Sequence, residues 1–454
     1  MIRNLDKLPL TLWVPLRKKA LSLVADDCGT NPLNAKTRHN LHWFRLDGVF
    51  AQASESVMLA YLSLFVLALG ASRGQIGLMS ALASLSAAIF LLPGAVIGER
   101  KGRRKLIVLL SGGGAARVIL LLLALMPLFF GGAAAVNLAI ALVVIRSACV
   151  HLGVPAWTSL IADIVPLQCR GRYFSSRNIL MGIAAMITTY LVGQLISRAG
   201  SPIGYQLALG TAFVIGAVST FSFARVREPA VTAIRSVVGA GTSVSVLRQL
   251  RDHPDFLALC GVAAVFNLSL GIAAPFFSVY LVETLGASAS MVGTLAVVST
   301  LAALPGQRLF GVLVDRWGPR RVLLTTGLVV PLMPWAWALA SSPLHLVPVD
   351  AIAGFVWAGY NLANFNLLLS LTPEDHRSRA TALYSMIVTL SLAAGAMIGG
   401  VMATHWGLIA VFVLSGLGRL VAALFFARFV RQPGPAVKRP RYWQIRRRRF
   451  GTTQ

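Results

Sequence analysis

Glu55 stands in the middle of one long apolar run and Arg146 in the middle of another, positions where an ionisable side chain needs a reason. On helical spacing Asp47, Ser54, Glu55, Met58 and Tyr61 fall on one stripe, with Glu55 two turns beyond Asp47. An ionisable group at mid-membrane costs roughly 2.5–3.5 kcal/mol on insertion scales and therefore turns to the interior. Removal from water favours the neutral form of a carboxyl group. Glu55, with Asp47 and Arg146 beside it, is thus the candidate proton-coupling site. Two other readings stand open: a fixed ion pair of Glu55 with Arg117 or Arg146, or contact with the cationic part of a solute. Arg146 could equally grip an anionic solute bidentately. His151, five residues on and about 140° round the helix, reads as a structural histidine, a proton relay or a ligand.

The elements that must hold these groups follow from composition. Of 454 residues, 56% are apolar and 12% charged, whereas a soluble protein carries about 25% charged residues. That excludes a soluble enzyme, a disordered chain and a disulfide scaffold. A membrane span needs about 20 mostly apolar residues, and twelve such runs occur: 46–69, 75–98, 105–128, 136–164, 174–197, 203–226, 256–282, 290–314, 321–341, 346–371, 379–403 and 407–429. They lack the short alternation of membrane barrels, so helices must satisfy the backbone in lipid. The fold expected is an all-α polytopic membrane protein.

Charge sets its orientation. The formal net charge is +26, which in a soluble chain would suggest nucleic acid. With the N-terminus placed in the cytoplasm, 35 of the 41 Lys+Arg lie on the cytoplasmic side, and the outer loops hold only Arg73 and Arg198. By the positive-inside rule both termini are cytoplasmic, in the inner membrane of a bacterial cell. The basic tail, K-R-P-R-Y-W-Q-I-R-R-R-R-F at 438–450, reads as a contact for anionic lipid rather than nucleic acid. The run 8–16 has no cleavage site after it and could lie along the membrane surface. Cys28, Cys149, Cys169 and Cys260 show no metal-ligand or redox spacing and read as structural. No cofactor or metal motif and no nucleotide-binding loop appears, so any transport draws on a gradient.

The chain repeats itself. An offset of 216 carries Gly-Ala-Ser at 70–72 onto 286–288, Gly77 onto Gly293, and E-R-K-G-R-R-K at 99–105 onto D-R-W-G-P-R-R at 315–321. An offset of 207 pairs Pro166, Arg170 and Arg172 with Pro373, Arg377 and Arg379, and F-A-R at 223–225 recurs at 426–428. The organisation expected is a cytoplasmic segment 1–45, a six-helix bundle 46–228, a linker 229–253, a second bundle 254–430 and a basic tail 431–454. Parallel repeats of this kind place a solute site at their interface.

The segment G-V-L-V-D-R-W-G-P-R-R, with Gly311, Asp315, Arg316, Gly318, Arg320 and Arg321, resembles the signature loop of the major facilitator superfamily, Gly-x-x-x-Asp-Arg-x-Gly-x-Arg-Arg. The first copy departs from it, with Ala95 at the leading glycine and Glu99 at the aspartate, followed by Arg100, Gly102, Arg103 and Arg104. Asp163, seven residues before Arg170, resembles another superfamily feature; by that resemblance it pairs with Arg103 or Arg104 and latches the cytoplasmic ends in the outward-open state. Ser370 replaces the acid in the second half, so an asymmetric latch is expected. The competing reading is that these charges serve only topology and loop folding.

The resemblance also implies that spans 1, 4, 7 and 10 line the cavity. Trp357, Tyr360, Asn361 and Asn364 share a face of span 10, with Asn267 and Ser278 of span 7 opposite and Tyr61 on span 1. Such a lining suits a sugar-like or amphipathic solute; interhelical amide bonding is the competing reading. Spans 3 and 12 are peripheral in the superfamily, so Arg117 and Arg419 read as structural. Span 5 lacks the Gly-Pro-x-x-Gly-Gly pattern of drug/proton antiporters, although G-A-M-I-G-G occurs at 395–400 in span 11. The expectation is a monomeric, non-enzymatic secondary transporter of a small molecule, proton-coupled, working by alternating access. A multidrug exporter by proton antiport, and a non-transporting scaffold or lipid-handling partner of the same fold, are the alternatives.

Overall fold

The computed structural model describes residues 34–101, 103–166, 169–228, 254–372 and 377–430. The segment 1–33, the linker 229–253 and the tail 431–454 lie outside the described residues, as does Cys28. Among those described, twelve helices are long and apolar enough to cross a membrane. In chain order they are α1 Ala35–Ala68, α2 Arg73–Lys101, α3 Arg104–Leu128, α4 Gly132–Ile164, α5 Arg170–Ala199 and α6 Ile203–Ala224. The second half has α7 Pro254–Thr284, α8 Ala289–Trp317, α9 Pro319–Leu339, α10 Leu346–Leu371, α11 Arg377–His405 and α12 Gly407–Phe429.

The first helix begins eleven residues before the apolar run does, at Ala35 rather than residue 46. Its polar first turns are held by protein rather than lipid. Asn40 donates to the Arg227 carbonyl (2.9 Å) and accepts from the Arg227 N–H (2.8 Å). Tyr173 donates to the Leu41 carbonyl (2.7 Å), and Arg177 lies over the Phe44 ring. Regular winding is interrupted in several helices where the sequence allows it. The Ser-Gly-Gly-Gly run makes residues Leu109–Ala115 of α3 a π-helix, and Pro275 sits in a 3-10 turn at Ala274–Phe276 of α7. Gly318, at φ +82°, makes the turn between α8 and α9.

One face of the bundle carries the basic loops. At the opposite face the halves meet in one shared apolar core containing Tyr61, Ile76, Tyr280, Leu281 and Phe412. At the basic face each half has its own core, around Phe44 and Ile161 in the first and Phe256 and Leu367 in the second. The halves therefore close at the far face and part toward the basic one.

Glycine crossings make that closure. A Cβ on Gly77 of α2 would meet the backbone of α11 at Gly400 and, at 2.8 Å, the Ala396 carbonyl. A Cβ on Gly293 of α8 would meet Tyr190 Cα of α5 at 2.9 Å, and one on Gly193 would meet Ala289 O at 3.0 Å. The offset of 216 relates Gly77 to Gly293 and the offset of 207 relates Gly193 to Gly400, so one crossing occurs twice about the pseudo-twofold. Arg73 bridges to Glu283 across the halves (2.9 Å), and the Ser290 N–H donates to Ser197 Oγ (3.0 Å).

Gly77→Val would insert methyl groups into this crossing and disfavour the closed far face by about 1–3 kcal/mol, the usual cost of overpacking. Disulfide formation in a Ser197→Cys/Ser290→Cys protein should fall when Gly77→Val is added; unchanged cross-linking would show that the crossing does not hold the face shut.

Candidate functional site

Two large cavities open inside the bundle. The first, about 470 Å³, lies within the N-terminal half, with Asp47, Glu55, Arg117, Arg146, His151 and Arg177 on its wall. Arg146 of α4 donates through a terminal nitrogen to Glu55 Oε2 of α1. The two are unequally exposed: the Glu55 side chain is 39% accessible and that of Arg146 10%. Glu55 is paired yet faces open space, so water reaches the carboxylate while the low-dielectric wall strengthens its attraction to Arg146.

Asp47, two turns nearer the basic face, accepts a hydrogen bond from Ser219 of α6 (2.7 Å) and feels the charges of Arg177 and Arg117. Arg117 donates to Ser54 Oγ (2.9 Å), and Ser54 donates on to the Ala212 carbonyl (2.7 Å). It also feels Glu55, Asp47 and Arg146, so the charges form one interacting set. His151 bonds through Nδ1 to the Ser147 carbonyl one turn back (2.9 Å); since a carbonyl only accepts, that nitrogen carries the proton.

Arg117, read as structural, does bond across helices to Ser54 and also faces the interior. It turns inward, packs over Gly216, and joins the cavity wall. The overlooked signal is the Ser-Gly-Gly-Gly run just before it, which leaves α3 without side chains to fill the interior; Gly112 and Gly113 are themselves in the lining.

The second cavity, about 510 Å³, is shared between the halves. Leu59 and Ala60 of α1, Phe277 and Ser278 of α7 and Trp357 of α10 line it. Asp350, which accepts from Trp337 Nε1 (3.3 Å), and Arg419 bring charge to an otherwise largely apolar wall. Arg419, also read as structural, is 2% exposed.

Five of the six residues expected on the cavity lie outside both large linings. Tyr61 is buried and donates to the Thr189 carbonyl (2.7 Å), bracing α1 on α5. Tyr360 stacks on Phe266 with centroids 4.7 Å apart. Asn364 exchanges hydrogen bonds with Tyr384 (3.1 and 3.2 Å), the interhelical amide arrangement. Asn267 donates to its own helix at Ala263 (2.8 Å). Asn361 is exposed and outside both linings. A helical stripe spans enough arc to serve both a cavity and a packing seam: on α10, Trp357 lies on the first and Tyr360 and Asn364 on the second.

At the basic face Arg104 donates to Asp163 (2.7 Å) and Ser159 (2.9 Å), with Glu228 3.6 Å from its Nε. These contacts join elements of one half, in a conformation closed at the far face. Arg104 is thus the partner of Asp163, one of the two expected, and here the pair braces α3 on α4 within one half. Arg170 donates to the Ala162 and Val165 carbonyls at the end of α4 (2.8 and 3.2 Å). In the second half, where Ser370 stands seven residues before Arg377, Arg320 instead donates to the Ala427 and Val430 carbonyls (2.9 and 2.6 Å), capping α12. Asp315 and Arg316, a turn beyond Gly311, are exposed, as are Arg103 and Arg321. Gly102 lies outside the described residues, as do the side chains of Glu99, Arg100, Arg377 and Arg379.

Twelve spanning helices in two repeated halves with interior cavities define a membrane transporter fold. The Major Facilitator Superfamily model matches residues 48–270 and 259–450, and the chain belongs to that family. The multi-drug resistance efflux pump PmrA of Streptococcus pneumoniae is 26% identical over 168 residues, 36% of this chain and 42% of that protein. The Na(+), Li(+), K(+)/H(+) antiporter of Planococcus maritimus is 25% identical over 141 residues, 30% of this chain and 33% of that protein. The chain thus spans less than half the length of these relatives. The solved nucleoside transporter NupG superposes with a TM-score of 0.69 at 12% identity, over 86% of this chain and 100% of that one, a likeness of fold.

Asp163→Asn removes the charge facing the buried Arg104 and should destabilise the protein by about 1–3 kcal/mol. Thermal unfolding in detergent would register this as a lowered midpoint; an unchanged midpoint would mean that Ser159 and Glu228 suffice to hold the guanidinium.

Proposed function

We propose that this protein is a proton-coupled secondary transporter that moves a small solute by alternating access, with Glu55 and Arg146 as the coupling pair. The basic face is the cytoplasmic one by the positive-inside rule, so the conformation described is open to the cytoplasm and closed outside. The observation that carries the reading is the Glu55–Arg146 ion pair on the wall of an interior cavity, with the carboxylate half-exposed. Arg117, Arg146 and Arg177 face Asp47 and Glu55 there. A proton on Glu55 removes one of the two negative charges and leaves Arg146 unpaired in a low-dielectric wall, an unfavourable state. Relief comes from movement of α1 against α4 or from release of the proton, which ties protonation to conformation.

Efflux by proton antiport is the second reading. The names of the relatives, an efflux pump and a cation/proton antiporter, favour it, and the mostly apolar wall of the shared cavity suits amphipathic cargo.

In proteoliposomes with an imposed pH gradient, screened with sugars, organic anions and lipophilic cations, at least one solute should move together with or against protons. Glu55→Gln should abolish gradient-driven accumulation of that solute and leave solute exchange intact. Accumulation that survives the substitution would remove Glu55 from the coupling role.

A further inference from the structure

Three buried arginines of this bundle have carboxylates beside them. Arg104 has Asp163, Arg146 has Glu55, and Arg177 interacts with Asp47. Arg419 does not. It is 2% exposed about half-way along α12, and no carboxylate among the described residues lies within ion-pair distance of it. Its Nε and one terminal nitrogen are buried and make no hydrogen bond; its electrostatic neighbour is the Tyr360 phenol, which carries no charge to offset it. A buried guanidinium left without acceptors is strongly unfavourable, because desolvation is not repaid by any partner.

The helix holding Arg419 is fixed. Ser415, one turn earlier, donates to the Ser269 carbonyl of α7 (2.6 Å), and Trp335 of α9 donates to the Val413 carbonyl (3.2 Å). The guanidinium is thus pre-positioned on the wall of the shared cavity, with Trp357, Phe277, Leu59 and Met186 around the same space. A planar cation at this wall, where Asp350 is the one carboxylate in the lining and apolar and aromatic surfaces make up most of the rest, is complementary to an organic anion: an oxyanion for the guanidinium and an apolar body for the rest.

We infer that Arg419 is the anion-binding residue of a solute subsite in the shared cavity, and that the transported solute is an amphipathic organic anion. The inference rests on the transporter reading but not on proton coupling, since it concerns equilibrium binding with no gradient. Proton binding then belongs to the N-terminal half and recognition of the solute's charge to the C-terminal half.

The full chain in neutral phosphatidylcholine nanodiscs tests this with benzoate, benzylamine and benzyl alcohol as probes, read by thermal shift. Benzoate should stabilise the protein and the other two should not. Arg419→Gln should weaken the benzoate response at least about tenfold, the loss of one charge-assisted interaction, and Arg419→Lys should retain part of it. Should Arg419→Gln fail to fold, 4-nitrobenzoate gives a second readout on the native chain. It should quench the fluorescence component that Trp357→Phe removes, and 4-nitrobenzyl alcohol should not. Adding phosphatidylglycerol should leave the benzoate response in place. The subsite is overturned if benzoate gives no response, if benzyl alcohol matches it, if Arg419→Gln responds like the native chain, or if phosphatidylglycerol displaces benzoate and so marks a lipid-headgroup site. A benzoate response without any proton-linked flux would sink the coupling reading and leave this one standing.

Discussion

Charge inside a membrane-spanning bundle must be paired, hydrated or both, and the N-terminal half is arranged around that requirement. Glu55 on α1 and Arg146 on α4 hold two helices together across a cavity. Asp47 and Ser219 join α1 to α6, and Arg117 brings α3 onto α1 through Ser54. Each of these contacts ties a different helix to α1, so the charge state of the set bears on how the whole half packs. The C-terminal half is built otherwise. Its interior is aromatic, with Phe266, Trp357 and Tyr360 in one cluster and Phe412 against Phe277 and Tyr280, and on the shared cavity wall it sets Arg419 with no carboxylate in ion-pair distance among the described residues.

This asymmetry sits on a symmetric frame. The crossings at Gly77 and Gly400 and at Gly193 and Gly293 bring backbones together, the second with the Tyr61 hydroxyl beside both glycines, and they lie where the halves would pivot. Small residues suit such a joint, since packing between membrane helices depends on close approach rather than on hydrophobic burial. Arg73–Glu283 and Ser197–Ser290 lie at the same face, where contacts must break for the bundle to open outward. At the basic face, Arg104 braces α3 on α4 and Arg320 caps α12, each within its own half.

Much of this was legible in the residues. Length and hydropathy placed α10 and α12 to the residue, because lipid-facing helices must be apolar along their length. The start of α1 was not legible, because its polar turns are covered by α5 and the end of α6 and only tertiary contact makes them helical. The offsets of 216 and 207 contained both glycine crossings, but repetition does not say which glycine meets which. Glu55, Asp47 and Arg146 stood out as charges in apolar runs. Arg117 and Arg419 stood out equally and were set aside because their helices were expected at the periphery; a long flexible side chain reaches inward from such a helix. The spacing of the α10 amides gives a face but not what the face meets.

The central claim is that Glu55 exchanges a proton from within the ion pair. Infrared difference spectroscopy of the protein in liposomes, recorded across a pH step, observes this directly through the carbonyl stretch of a neutral carboxyl group. A band that grows on acidification and is missing from the Glu55→Gln protein is the predicted result. A spectrum in which that band is absent, or persists unchanged after the substitution, would contradict the account.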